Sequence, residues 1–89
     1  MNEAEVSQGI EAFVRKSFAV SDSDPNFGTQ TDLFDGGYVD SVGLAEMLGF
    51  IEEHFGVSVP DEELLGEEFA SIDGIARTVS RLNSSGRPR

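Results

Sequence analysis

Asp40-Ser41-Val42-Gly43-Leu44-Ala45-Glu46-Met47-Leu48-Gly49-Phe50-Ile51-Glu52-Glu53-His54-Phe55-Gly56 is the stretch from which the architecture can be read. Leu44, Leu48, Ile51 and Phe55 recur at the spacing of one helix face. Val42, Met47 and Phe50 widen that apolar surface, so the helix is contacted on more than one side. Asp40 is a good N-cap, because its carboxylate accepts from backbone N–H groups that have no partner in the first turn. Gly56 is a natural stop. Gly43 and Gly49 each cost about 1 kcal/mol of helix propensity relative to Ala and so call for a reason, such as close approach by another chain.

Working outward, Val6, Ile10, Phe13, Val14 and Phe18 share one face of an earlier helix over about Glu3 to Phe18. Asn2 followed by Glu5 is a helix-start signal. Residues 19–40 hold Asp24-Pro25-Asn26, Gly28 and Gly36-Gly37, which break any helix. They form a long loop of the kind that is usually functional, and Leu33 and Phe34 anchor it to the core. Downstream, Val57-Ser58-Val59 reads as an extended connector, and Asp61 to Leu65 as a short helix ended by Gly66. Glu67 and Glu68 fall in a loop, with Phe69 as a core plug. A last helix runs from Ile72 to about Leu82, capped by Ser71. The expectation is an all-α chain of three main helices, one short helix and a long first loop. One domain spans 1–82, and 83–89 is a flexible C-terminal tail. The expected core is Ile10, Phe13, Val14, Phe34, Leu48, Ile51, Phe55, Phe69, Ile72, Ile75 and Val79.

Charge narrows the function. The 89 residues hold 17 acidic and 6 basic side chains, a net charge of −11. Residues 17–76 carry fourteen acids and no Lys or Arg. A nucleic-acid backbone needs cations to displace its counterions, and an anionic membrane surface attracts basic segments, so neither partner is expected. With no Cys there is no disulfide framework, thiolate metal site or thiol nucleophile. No apolar run is long enough to span a membrane, and the acidic N-terminus lacks a secretory pattern. A cytoplasmic monomer is expected.

Few constellations carry chemistry. Asp22, Asp24 and Asn26 have the alternate spacing of a calcium loop, but Phe27 stands where the sharp-turn glycine belongs and Leu33 where the bidentate glutamate belongs. No metal site is expected. His54 lies thirteen residues after Ser41 on the same helix, about 20 Å away at 1.5 Å per residue, so the two cannot share a proton. Glu52-Glu53, Glu62-Glu63 and Glu67-Glu68 are neighbouring acids on a solvated surface, without the split environments that acid–base catalysis requires. No catalytic residue is expected. Ser41 remains: a hydroxyl in the first turn of a helix, beside unpaired N–H groups and a partial positive charge that suit a phosphate ester. Taken alone, Asp40-Ser41 reads first as an ordinary helix start, because such caps are commonplace.

Its surroundings add to this. Asp32-Leu33-Phe34-Asp35-Gly36-Gly37-Tyr38-Val39-Asp40-Ser41-Val42 is followed by Phe50-Ile51-Glu52-Glu53-His54-Phe55-Gly56-Val57-Ser58-Val59-Pro60-Asp61-Glu62-Glu63-Leu64, and later by Phe69-Ala70-Ser71-Ile72-Asp73-Gly74-Ile75-Ala76. Together these resemble the acyl and peptidyl carrier proteins over about residues 5–82. The resemblance implies a four-helix acyl-carrier-like bundle. It implies that Ser41 receives 4′-phosphopantetheine from coenzyme A through a Mg²⁺-dependent phosphopantetheinyl transferase. The arm carries intermediates as thioesters, and the carrier itself is non-catalytic. Partner enzymes would be an adenylating ligase or acyltransferase and a downstream synthase or condensing enzyme. They would dock on Asp40, Glu46, Glu52 and Glu53, with Val42 and Met47 as apolar contacts. Asp40-Ser41-Val42-Gly43 departs from the Asp-Ser-Leu-acid pattern of fatty-acid carriers. The phrase before it looks more like free-standing carriers that work beside adenylating ligases, D-alanyl carriers included, or that serve natural-product pathways.

The leading expectation is thus a stand-alone carrier of aminoacyl or acyl groups in polyketide or nonribosomal-peptide biosynthesis. The alternatives are a fatty-acid or D-alanyl carrier, or an unmodified acidic helical module for protein interaction. A hydrolase built on Ser41 has little motif support.

Overall fold

The computed structural model describes residues 2–64 and 66–85. Helix α1 spans Glu3–Ser17, α2 Ser41–Phe55, α3 Asp61–Leu64 and α4 Ile72–Ser85, with a 3-10 turn at Glu67–Ala70 before α4. Among the described residues the chain is all-helical, a four-helix bundle with a long first loop, as expected. No helix among them is long and apolar enough to cross a membrane.

The helix starts follow from local chemistry. The Asn2 side chain accepts from the Glu5 N–H at 2.8 Å while Glu5 accepts from the Asn2 N–H at 3.1 Å, a reciprocal capping box. Asp40 Oδ1 accepts from the Gly43 N–H at 2.8 Å and Ser71 Oγ from the Gly74 N–H at 3.1 Å. Gly56 ends α2 in the left-handed region at φ 70°. Two expected boundaries change. Glu67 and Glu68 belong to the 3-10 turn rather than a loop. Helix α4 runs to Ser85, so the first three residues of the expected tail are helical, and the rest lies outside the described residues.

Helix α1 packs on α4 and α2, and α2 also touches α4. Phe18 meets Gly43, and Phe55 meets Gly9, so α1 and α2 run antiparallel. The core joins Val6, Ile10 and Val14 of α1 to Met47, Ile51 and Phe55 of α2, to Phe69, and to Ile72, Ile75, Ala76 and Val79 of α4. Three expected core residues, Phe13, Phe34 and Leu48, are only half-buried against it. On α2 the buried row is Gly43, Met47, Ile51 and Phe55, a strict four-residue step. The alternative row through Leu44 and Leu48 lies on its flank, because two neighbouring apolar rows compete for one core and packing partners choose between them.

The long loop is firmly tied. Leu33 is fully buried; its N–H donates to the Ala70 carbonyl at 2.7 Å, and its own carbonyl accepts from the N–H groups of Tyr38 and Val39 at 2.9 and 3.0 Å. Phe27 and Val39 also enter the core. The Asp73 N–H donates to the Thr29 carbonyl at 2.9 Å, and Thr29 Oγ1 donates to Asp73 Oδ2 at 3.2 Å. A side chain at Gly74 would overlap the Glu68 backbone at its carbonyl oxygen. The 3-10 turn therefore sits directly on the first turn of α4. Helix α3 buries no residue of its own and is braced by Arg81, which donates to both carboxylate oxygens of Glu63 at 3.0 and 3.2 Å.

Candidate functional site

The junction of the long loop with α2 places Ser41. The segment Leu33–Val39 is closed by backbone hydrogen bonds, and Asp32 Oδ1 accepts from the Phe34 and Asp35 N–H groups at 3.0 and 2.8 Å. Tyr38 then reaches back across the loop: its hydroxyl donates to Asp24 Oδ2 at 2.9 Å and its ring meets Phe27 edge-on at 5.2 Å. Burial and the Asp24 carboxylate push the Tyr38 hydroxyl above its ordinary pKa. The loop residues just before Ser41 are thus tied to a point fourteen residues earlier in the chain.

Ser41 is the first residue of α2, and its side chain is exposed. Asp40 uses one carboxylate oxygen on the Gly43 N–H, which leaves the Ser41 and Val42 N–H groups without intrahelical acceptors. Under this turn, Phe18 lies against Gly43. A Cβ there would come within 2.8 Å of the Phe18 ring and 3.2 Å of Val39. Here is the reason for Gly43, and it comes from the same chain rather than from another one. The sequence holds no local signal for this contact, since Phe18 is read from its own helix alone. Gly49 faces open space, with no atom within 4 Å of an added Cβ.

The other expected site residues divide. Asp40, Val42, Glu46, Glu52 and Glu53 are all exposed, and Val42 is the one large apolar side chain fully at the surface among the described residues, 69% exposed. Met47 is corrected: expected as an apolar docking contact, it is completely buried and belongs to the core. Its place in the strict four-residue row carries it inward, whereas Val42 lies on the opposite flank of the helix. His54 is exposed, stacked on Phe50 at 4.9 Å and far along α2 from Ser41. Asp24 uses its two oxygens on the Asn26 N–H and the Tyr38 hydroxyl, and Asp22 reaches only toward Arg15 at 3.8 Å. Among the described residues no three potential ligands gather to hold a metal ion.

The geometry offers an exposed hydroxyl at a helix N-terminus, after a hydrogen-bonded loop and beside exposed acids. The sequence profile of the family described as "Phosphopantetheine attachment site" matches residues 10–79. The D-alanyl carrier protein of Streptococcus mutans serotype c is 32% identical over 54 residues, which span 61% of this chain and 68% of that protein. With most of the bundle matched by the profile, the chain belongs to the phosphopantetheine-attachment family and is a carrier protein whose prosthetic group is covalently attached 4′-phosphopantetheine.

Proposed function

We propose that Ser41 is the attachment residue and that the chain carries aminoacyl or acyl groups between partner enzymes in polyketide or nonribosomal-peptide biosynthesis. The observation that carries the first part is the exposed Ser41 hydroxyl at the N-terminus of α2. The fit is steric and electrostatic. Ser41 and Val42 are exposed, and their N–H groups, without intrahelical acceptors, suit a phosphodiester at the helix N-terminus. The bound arm supplies a terminal thiol on which cargo is held as a thioester; this chain, with no Cys, has no sulfur nucleophile of its own.

The chain's own part in loading is to present the Ser41 oxygen. A phosphopantetheinyl transferase joins that oxygen to the β-phosphorus of coenzyme A. The phosphoanhydride bond breaks, 3′,5′-adenosine diphosphate leaves, and the serine proton passes to a base. Carriers of this family are in general non-catalytic and work with such a transferase and with partner enzymes. A tether on a fixed base raises the effective concentration of cargo at each partner. Asp40, Val42, Glu46, Glu52 and Glu53 are the docking face we propose, where acids steer basic enzymes and Val42 adds apolar contact.

Incubation with coenzyme A, Mg²⁺ and a promiscuous transferase tests the site. One phosphopantetheine is gained by intact mass, and the gain disappears in Ser41→Ala. Absence of any gain with several transferases refutes the proposal. A second reading, D-alanyl carriage, is favoured by the similarity to the Streptococcus mutans protein. The mass of the thioester on protein isolated from its own cells distinguishes D-alanine from other aminoacyl or acyl cargo.

A further inference from the structure

Tyr38 stands three residues before Ser41 and joins parts of the long loop that lie apart in sequence. Its ring lies against Gly36, where an added Cβ would come within 3.0 Å of Cδ2 and Cε2. The same ring meets Phe27 edge-on at 5.2 Å, and the Arg15 guanidinium of α1 lies 4.6 Å over Phe27. The hydroxyl donates to Asp24 Oδ2 at 2.9 Å, while Asp24 Oδ1 accepts from the Asn26 N–H at 2.8 Å. Asp24 is thereby oriented by its own local turn.

The turn over residues 32–39 is otherwise closed mostly on itself. The N–H groups of Gly36, Gly37, Tyr38 and Val39 donate to the carbonyls of Asp32, Phe34 and Leu33. Among the described residues, two hydrogen bonds tie this turn to the rest of the chain. The Leu33 N–H donates to the Ala70 carbonyl at its start, and the Tyr38 hydroxyl donates to Asp24 at its end. Between them stands Gly37 at φ 80°, with open space where a Cβ would point, a joint that no side chain restrains. Buried Leu33 and Val39 keep the turn on the core. Apolar burial has no direction of its own, however, whereas the bond to Asp24 has one.

We propose that Tyr38 is a positioning residue for the loading of Ser41: its bond to Asp24 selects the orientation of the turn before α2 from which a phosphopantetheinyl transferase takes the serine hydroxyl. The proposal rests on the reading of Ser41 as the attachment residue. Tyr38 itself touches no reacting atom. With the bond broken, the turn samples other orientations about Gly37, and only a fraction of the chains present Ser41 competently. The apparent affinity for the transferase falls by that fraction, whereas the chemical step from the bound, competent orientation is unchanged. Tyr38 and Asp24 are both half-buried, so the bond opens locally without unfolding the bundle.

The test follows the initial rate of phosphopantetheine transfer from coenzyme A against the concentration of the full chain, with Mg²⁺ and a promiscuous transferase. Tyr38→Phe keeps the ring and its contact with Phe27. It raises KM for the chain about fivefold with kcat unchanged, the size expected for one half-exposed hydrogen bond. Asp24→Ala does the same, and the double variant is no worse than Tyr38→Phe alone. Asp24→Asn recovers most of the loss, because its amide oxygen still accepts from Asn26 and its amide N–H donates to the Tyr38 oxygen. Hydrogen exchange on the unloaded chain gives a second reading. In Tyr38→Phe the amides of Gly36, Gly37, Tyr38 and Val39 exchange faster, while those of Ile10, Ile51 and Ile75 keep their protection. The proposal is overturned by equal KM in the native chain and Tyr38→Phe, by a fall in kcat at unchanged KM, or by faster exchange at all these amides alike, which marks a general loss of stability. A native chain that gains no phosphopantetheine while the turn amides respond refutes the Ser41 reading and the loading role with it. A chain that loads equally well in every variant refutes the positioning role alone.

Discussion

Gly43→Ala and Gly49→Ala are the same chemical change on the same helix, and the structure assigns them opposite signs. In a helix interior, Ala is favoured over Gly by about 1 kcal/mol. At position 49 the added methyl meets nothing within 4 Å, so that gain is realised and stability rises by about 0.5–1 kcal/mol. At position 43, in the first turn, the gain is smaller, and the methyl arrives 2.8 Å from Phe18 Cε1, 3.1 Å from its Cζ and 3.2 Å from Val39 Cγ1. Overpacking typically costs about 1–3 kcal/mol. Phe18 is half-buried and retreats in part, so the lower end applies and the net loss is about 1 kcal/mol. Urea unfolding followed by circular dichroism reads both variants. With a slope near 1 kcal/mol per molar, their midpoints move in opposite directions and end on the order of 1–2 M apart. Adding Phe18→Leu to Gly43→Ala relieves the contact and restores part of the loss. If Gly43→Ala alone unfolds at or above the Gly49→Ala midpoint, the close packing of Phe18 beneath the Ser41 turn is refuted.

Asp40→Ala removes the α2 cap and costs about 1 kcal/mol, whereas Asp40→Asn keeps an acceptor for the Gly43 N–H and costs much less, by the same unfolding measurement. The Arg81 guanidinium holds Glu63 below the ordinary glutamate range, so the stabilisation from this pair is complete above that range and fades as pH falls through the folded-state value. The midpoint difference between the protein and Glu63→Gln therefore shrinks on acidification, and a difference that grows contradicts the assignment. With a net charge of −11, moderate added salt screens self-repulsion and raises the thermal midpoint; a fall shows that the few ion pairs outweigh it.

Much of this was legible in order along the chain. Asn2 with Glu5, Asp40, Gly56 and Ser71 marked helix ends correctly, because capping is a contest among neighbours three or four residues apart. The loop phrase through Asp40-Ser41, with the run from Phe50 to Leu64, pointed to the family that the profile later matched. The choice between the Leu48 and Met47 rows of α2 was not legible, since both are apolar and periodicity alone cannot say which one meets α1 and α4. The resemblance assigns Met47 to the outer face, whereas it is fully buried in the core. Phe27 and Val39 were missed for a related reason: they are lone apolar residues in a polar loop, buried through long-range contacts that no local pattern records.

By itself, the sequence determined the helical class, the helix starts and the acidic charge balance, all of which rest on short-range chemistry or on composition. Only the tertiary structure decided which face of α2 turns inward, that Gly43 exists to admit Phe18, and that the Phe13 and Phe50 rings stack between α1 and α2. Those features join residues tens of positions apart, and burial there is settled by which surfaces fit together once the chain has closed on itself.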